Sequence, residues 1–183
     1  MTHYLFAKNY FVRAQRMLLA GLLTVAAVAH ADTQVLPTSN AELAPLATFE
    51  MPAFKGESKH LEDYRGDIVL VDFWASWCSP CRSSFPWMNN MTNKYRDDGF
   101  KIVAINLDQD RANALDFLQS LPPEFDVLFN PDGQMPEAFE VIGMPTSFLL
   151  DRQGRVRATH IGFHSDQTAA YEQQIQQLIH EDL

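Results

Sequence analysis

The chain has 183 residues, 14 Lys and Arg against 23 Asp and Glu, a formal charge of −9 and two cysteines. So acidic a balance argues against nucleic acid as a partner. A chain this long can hold a hydrophobic core without disulfide staples, which favours a chemical over a scaffolding role for the two cysteines.

Residues 1–31 are expected to be a secretory signal, because Lys8, Arg13 and Arg16 precede an apolar run from Met17 to Val28 and Ala29-His30-Ala31 fits an A-x-A cleavage site. That run is short of the roughly 20 residues a transmembrane helix needs, although an uncleaved anchor stays open. Its removal leaves 152 residues with 11 Lys and Arg against 23 Asp and Glu. The expected compartment is the periplasm.

Residues 32–48 contain Pro37, Ser39, Asn40 and Pro45 and show no period, which predicts a flexible lead-in that packs little. One globular domain is expected over 49–183. Residues 51–54 and 61–64 flank Gly56 and predict a short hairpin or two edge strands. Residues 68–74 are nearly continuously apolar, as in a strand buried on both faces. A helix over 82–95 follows, with Pro86 removing one backbone hydrogen bond, and Gly99 ends the segment before a buried strand at 101–106.

Ala112, Leu115, Leu118 and Leu121 form a helical stripe that stops at Pro122-Pro123. A short strand at 127–129, a turn at 130–133 and a short helix at 137–141 closed by Gly143 come next. Residues 146–150 and 155–161 predict an antiparallel hairpin, and Ser165 caps a last helix with Tyr171, Ile175, Leu178 and Ile179 on one face. The order βαβαβαββα belongs to the α/β class, with a closing hairpin.

Trp77-Cys78-Ser79-Pro80-Cys81 sits at the turn from strand to helix, where a redox dithiol belongs. If the helix starts at or just after Cys78, its sulfur lies against unpaired backbone N–H groups and the positive end of the helix dipole, which favours the thiolate. Cys78 is then the nucleophile, and Cys81, one turn inside the helix, resolves the mixed disulfide. A structural disulfide closing so small a loop would restrict the unfolded chain little. A zinc site would need two further ligands, and His60, His160 and His164 are scattered. Asp72 interrupts the apolar strand. It is either buried and functional or at a solvent-facing position.

Residues 71–81 resemble the active-site segment of thioredoxins, and Gly143-Met144-Pro145-Thr146 resembles their second signature, the loop with a cis-proline. More closely, residues 49–183 are similar to the TlpA/ResA/CcmG group of exported thioredoxin-like proteins, with a WCxPC site, a Phe-Pro in the first helix and an inserted helix–strand segment. The resemblance implies a three-layer α/β/α sandwich with a central mixed sheet and an N-terminal β extension. It makes Cys78–Cys81 a redox disulfide and Asp72 the buried acid that takes the proton from Cys81. Trp77, Pro80, Met144, Pro145 and Thr146 would meet the substrate, with the backbone beside Met144 pairing to an extended client segment. Trp77 could equally be core, and Pro145 merely a strand-starting proline. Many of the group carry asparagine at the position of Asp72 and glutamate at that of Ser84, so this chain departs from them twice.

The sequence thus reads as a thiol:disulfide oxidoreductase that reduces protein disulfides, with no cofactor and no metal. Expected partners are disulfide-containing clients, such as apocytochrome c or copper-delivery proteins, and a membrane thiol reductase as electron donor; the protein is expected to be a monomer. Ser79-Pro80 places no positive charge between the cysteines, which favours a reducing site. Arg82 is either a solvated helix residue or a group lowering a cysteine pKa. The alternatives are a disulfide oxidase or isomerase, and a copper chaperone binding through Cys78, Cys81 and a histidine.

Overall fold

The computed structural model describes residues 34–45 and 49–181; the expected signal and its cleavage site lie outside the described residues. Five strands form one mixed sheet in the order β3-β2-β1-β4-β5. They are β1 (Ile68–Trp74), β2 (Phe100–Asn106), β3 (Asp126–Phe129), β4 (Thr146–Leu150) and β5 (Val156–Ile161). β1, β2 and β3 run parallel, while β4 and β5 close the sheet as an antiparallel hairpin on the other side of β1. Between them lie α1 (Ser79–Tyr95), α2 (Arg111–Ser120) and α3 (Gln134–Ala138), and α4 (Thr168–Glu181) follows.

β1 is central, and all seven of its residues are buried. Alternate residues face opposite ways. Ile68, Leu70 and Trp74 enter a core with Cys78, Cys81 and Phe85, Phe117 of α2 and Ile175 of α4. Val69, Val71 and Phe73 enter a second core with Leu61, Met135, Phe139 and Phe148. Helices therefore cover both faces. Full burial of such side chains contributes about 1.5–3 kcal/mol each, which fixes which face of β1 meets α1. Asp72, between Leu70 and Trp74, is on the α1 face.

Four sequence expectations are corrected. Leu61–Tyr64 is a 3-10 helix, not a strand: His60 N–H donates to Asp63 Oδ2 at 2.7 Å, and Leu61 and Tyr64, three apart, are both buried. Met51 and Ala53 pair through isolated bridges, to Lys59 and Leu128.

The lead-in, expected to pack little, lies along β5 over residues 34–45. Leu36 N–H donates to Arg157 O at 2.7 Å, Val156 N–H to Glu42 O at 2.8 Å and Ala44 N–H to Gly154 O at 2.9 Å. Val35 and Ala44 are buried, and the buried Arg157 donates to Leu36 O while pairing with Glu181. Backbone pairing to an open sheet edge is what stabilises it, and such pairing carries no periodic sequence signal.

α2 buries Ala114, Phe117 and Leu118, and exposes Ala112 of the expected stripe. Phe117 fills the space beside Trp74 and Phe85, with ring centroids 4.7 and 4.8 Å away, and that contact sets the helix rotation. α3 begins earlier than expected because Asn130 Oδ1 accepts from Met135 N–H at 3.0 Å; it ends before Glu140, at φ 52°, rather than at Gly143.

Candidate active site

β1 delivers the chain to Ala75, where a tight turn leads into α1. Cys78 N–H donates to Ala75 O at 3.1 Å. Cys78 is the N-cap of α1, and its sulfur accepts from Cys81 N–H at 3.2 Å. Pro80 stands in the first turn, where a missing N–H costs no helix bond. Cys78 and Cys81 are joined by a disulfide. Cys78 retains 3% exposure and Cys81 none, so the sulfur at the helix end is the one a second molecule can approach.

The turn is held by residues the sequence reading missed. Asp108, buried after the end of β2, accepts from both Ser76 N–H and Ser76 Oγ at 2.8 Å. Asn106 Nδ2 donates to Asp108 at 2.8 Å, and Leu107 N–H donates to Trp74 O at 3.0 Å. A polar Asn-Leu-Asp at the end of an apolar parallel strand was the available signal.

Asp72 is buried, and Ser147 Oγ donates to its Oδ1 at 2.6 Å. Its Oδ2 is buried without a hydrogen-bond partner. Burial pushes this carboxyl up to about 7, opposed by the Ser147 hydroxyl, which favours the ionised form. The solvent-facing alternative is thus excluded. Trp74 is wholly buried against Phe85, with ring centroids 4.9 Å apart, whereas Trp77 is 70% exposed and so is not core.

The peptide bond Met144–Pro145 is cis. Thr146 pairs with Phe73 across β1 and β4, which brings Pro145 to the end of β1 where the cysteine turn begins. Thr146 Oγ1 donates to Gly143 O at 2.7 Å, and Gly162 N–H donates to Pro145 O at 2.8 Å. Gly162 has φ 81°, and a Cβ there would stand 3.3 Å from His164 Nε2, so the position demands glycine. Pro145 and Thr146 are buried, Met144 is half-buried and Ile142 projects beside them, 83% exposed.

Other candidates point elsewhere. Arg82 donates to Ser120 Oγ at 3.2 Å and stacks 4.6 Å above the Phe117 ring, so its charge is engaged by α2 rather than by the cysteines. Ser84 Oγ donates to Cys81 O at 3.0 Å within α1. His160 Nε2 is 2.7 Å from Gln174 Oε1, and burial lowers its pKa. Among the described residues, no group of three His, Cys, Asp or Glu could hold a metal ion.

The same arrangement recurs in proteins of known sequence and structure. Thiol-disulfide oxidoreductase ResA of Bacillus subtilis is 32% identical over 108 residues, 59% of this chain and 60% of the relative. ResA of Bacillus thuringiensis is also 32% identical, over 62% of its length, so the chain spans about three fifths of these curated relatives. A Chlorobium tepidum protein assigned as the thiol:disulfide interchange protein DsbE superposes with a TM-score of 0.73 at 47% identity, covering 76% of this chain and 96% of that one. StoA from Bacillus subtilis superposes at 0.60 with 27% identity, covering 70% and 97%. The fold is therefore thioredoxin-like. The Redoxin family model spans residues 39–175, from the lead-in through the dithiol and the cis-proline to α4, and by that match the chain belongs to the Redoxin family.

Proposed function

We propose that this protein is an exported thiol:disulfide oxidoreductase that works in the periplasm, reducing disulfides in other proteins. The observation that carries the reading is a disulfide at a helix N-terminus in which Cys78 keeps a residual 3% exposure and Cys81 none, on the same sheet face as Asp72. In the reduced protein, Cys78 thiolate attacks one sulfur of a client disulfide and expels the other as thiolate. Cys81 then passes its proton to Asp72 and attacks Cys78, forming the intramolecular disulfide and releasing the second client thiolate, which takes up a proton. Two electrons pass from the dithiol to the client.

Trp77, Pro80 and Met144, backed by the buried Pro145 and Thr146, make up the site that receives the client, with backbone beside Met144 pairing to an extended segment. A membrane thiol reductase returns the electrons, and apocytochrome c or a copper-delivery protein is a suitable client. The protein acts as a monomer, needs no cofactor, and is exported through the signal at 1–31. Among the described residues no helix is long and apolar enough to cross a membrane.

Catalysis itself is the test. With dithiothreitol as electron source, substoichiometric protein should accelerate insulin reduction well above the rate of dithiothreitol alone. A rate equal to the dithiothreitol blank would contradict the reading.

A further inference from the structure

We infer that Ser147 is a positioning residue for Asp72, its hydroxyl fixing one carboxylate oxygen so that the other stays free to exchange the Cys81 proton. The inference rests on the exchange reaction proposed above and adds to it the group that sets its base. Asp72 and Ser147 are directly opposed in the β1–β4 register, and the bond from Ser147 Oγ to Asp72 Oδ1 is 2.6 Å. On the other side of β1 the opposed residue is Ala104, which offers no polar group. Of the two Asp72 oxygens, Oδ2 is the one without a protein partner, on the face shared with Cys78 and Cys81.

A carboxyl torsion is soft, so without an anchor the carboxylate plane could turn and neither oxygen would keep a fixed place. The hydroxyl anchors Oδ1 in both protonation states, because it can donate to a carboxylate or to the carbonyl oxygen of the acid. It favours the carboxylate of the two, which opposes the effect of burial. The proton therefore travels from Cys81 sulfur to Oδ2 as Cys81 attacks Cys78, and leaves Oδ2 when the next cycle restores the carboxylate.

Other titratable groups on or near this face leave Ser147 as the anchor. α1 contributes Cys81, with Cys78 at its N-cap, and Tyr95, whose hydroxyl donates to Glu172 Oε1 at 2.6 Å; α2 buries only Ala114, Phe117 and Leu118. α4 contributes Tyr171, whose ring stacks on His160 of β5 with centroids 4.4 Å apart. His160 is opposed to Ser147 in register, but its Nε2 is engaged by Gln174. Asp108, after β2, is bound to Ser76 and Asn106. The sequence gives no local sign of the Ser147 role, since a serine at the start of a strand is commonplace.

The test follows the Asp72 carboxyl carbon by NMR across pH in the oxidised protein, for wild type, Ser147→Ala, Ser147→Val and Ser147→Thr. Val and Thr share the branched shape and differ in the hydroxyl, so any packing disturbance is common to both. Removing a hydrogen bond to a charged group should raise the midpoint by about one to two pH units in the Ala and Val variants, while Thr stays near wild type. The acid limb of insulin reduction should move up with it, making Ala and Val about fivefold or more slower at pH 7, with Thr restoring the rate. Wild-type midpoints and profiles in both Ala and Val overturn the Ser147 assignment and leave the proposed reaction standing. A wild-type protein that does not reduce insulin overturns that reaction, and with it any service of Ser147 to exchange, whatever the titration shows.

Discussion

Cys81→Ser should convert the protein from a catalyst into a trap. Cys78 keeps its place at the N-cap of α1 and its residual exposure, so the first attack on a client disulfide remains available. Release does not, because the buried group that would attack Cys78 no longer carries a thiol. Mixed disulfides through Cys78 should accumulate and multiple turnover of insulin should fall to the uncatalysed rate. Non-reducing gels followed by peptide mapping read the bond directly. Covalent complexes through Cys81 in a Cys78→Ser protein, with none through Cys78 in Cys81→Ser, would reverse the roles of the two sulfurs.

Asp72→Asn should slow turnover and change how stability depends on pH. The amide keeps the shape of the carboxyl and can still accept from Ser147 Oγ, but it cannot take a proton from Cys81. Loss of a general base costs on the order of 10²-fold in the step it serves. For stability the direction follows from burial. The folded carboxyl is pushed up to about 7, above its value in the unfolded chain, so the folded state holds its proton to higher pH.

Wild-type stability relative to Asp72→Asn should accordingly be greatest below about pH 4, decline as pH rises, and level off above the folded value of about 7. The total decline is roughly 4 kcal/mol, from about 1.36 kcal/mol for each pH unit between the two values. Denaturant unfolding of both oxidised proteins from pH 4 to pH 8 measures it. Equal turnover and a stability difference that does not vary with pH would make Asp72 an ordinary strand residue.

How much of this was legible depended on whether the signal was local. The apolar run of β1, the cysteine turn and the β4–β5 hairpin each announce themselves within a few residues, and all lie where the sequence places them. Asp72 was conspicuous because a charge inside a buried strand needs a reason. The cis-proline followed from resemblance, since nothing in Gly-Met-Pro-Thr itself distinguishes a cis bond from a trans one.

What escaped depends on partners distant in sequence. Ser147 acquires its meaning from Asp72, 75 positions earlier, and Asp108 from Ser76, 32 positions earlier. The lead-in is ordered by the edge of β5, whose exposure cannot be read from residues 34–45. Likewise the rotation of α2 is set by where Phe117 fits beside Trp74 and Phe85, and not by its own leucine spacing.

The direction of electron flow is the centre of the account, and the reduction potential of the Cys78–Cys81 pair tests it most directly. A site whose reduced form is stabilised by nearby positive charge becomes a strong oxidant. Here Ser79 and Pro80 carry no charge, and the guanidinium of Arg82 is held against Ser120 and Phe117. Equilibration in glutathione buffers, with the thiols trapped and counted by mass spectrometry, should give a potential nearer to roughly −270 mV than to the roughly −120 mV of a strong oxidant. A potential above roughly −180 mV would contradict the reductase account.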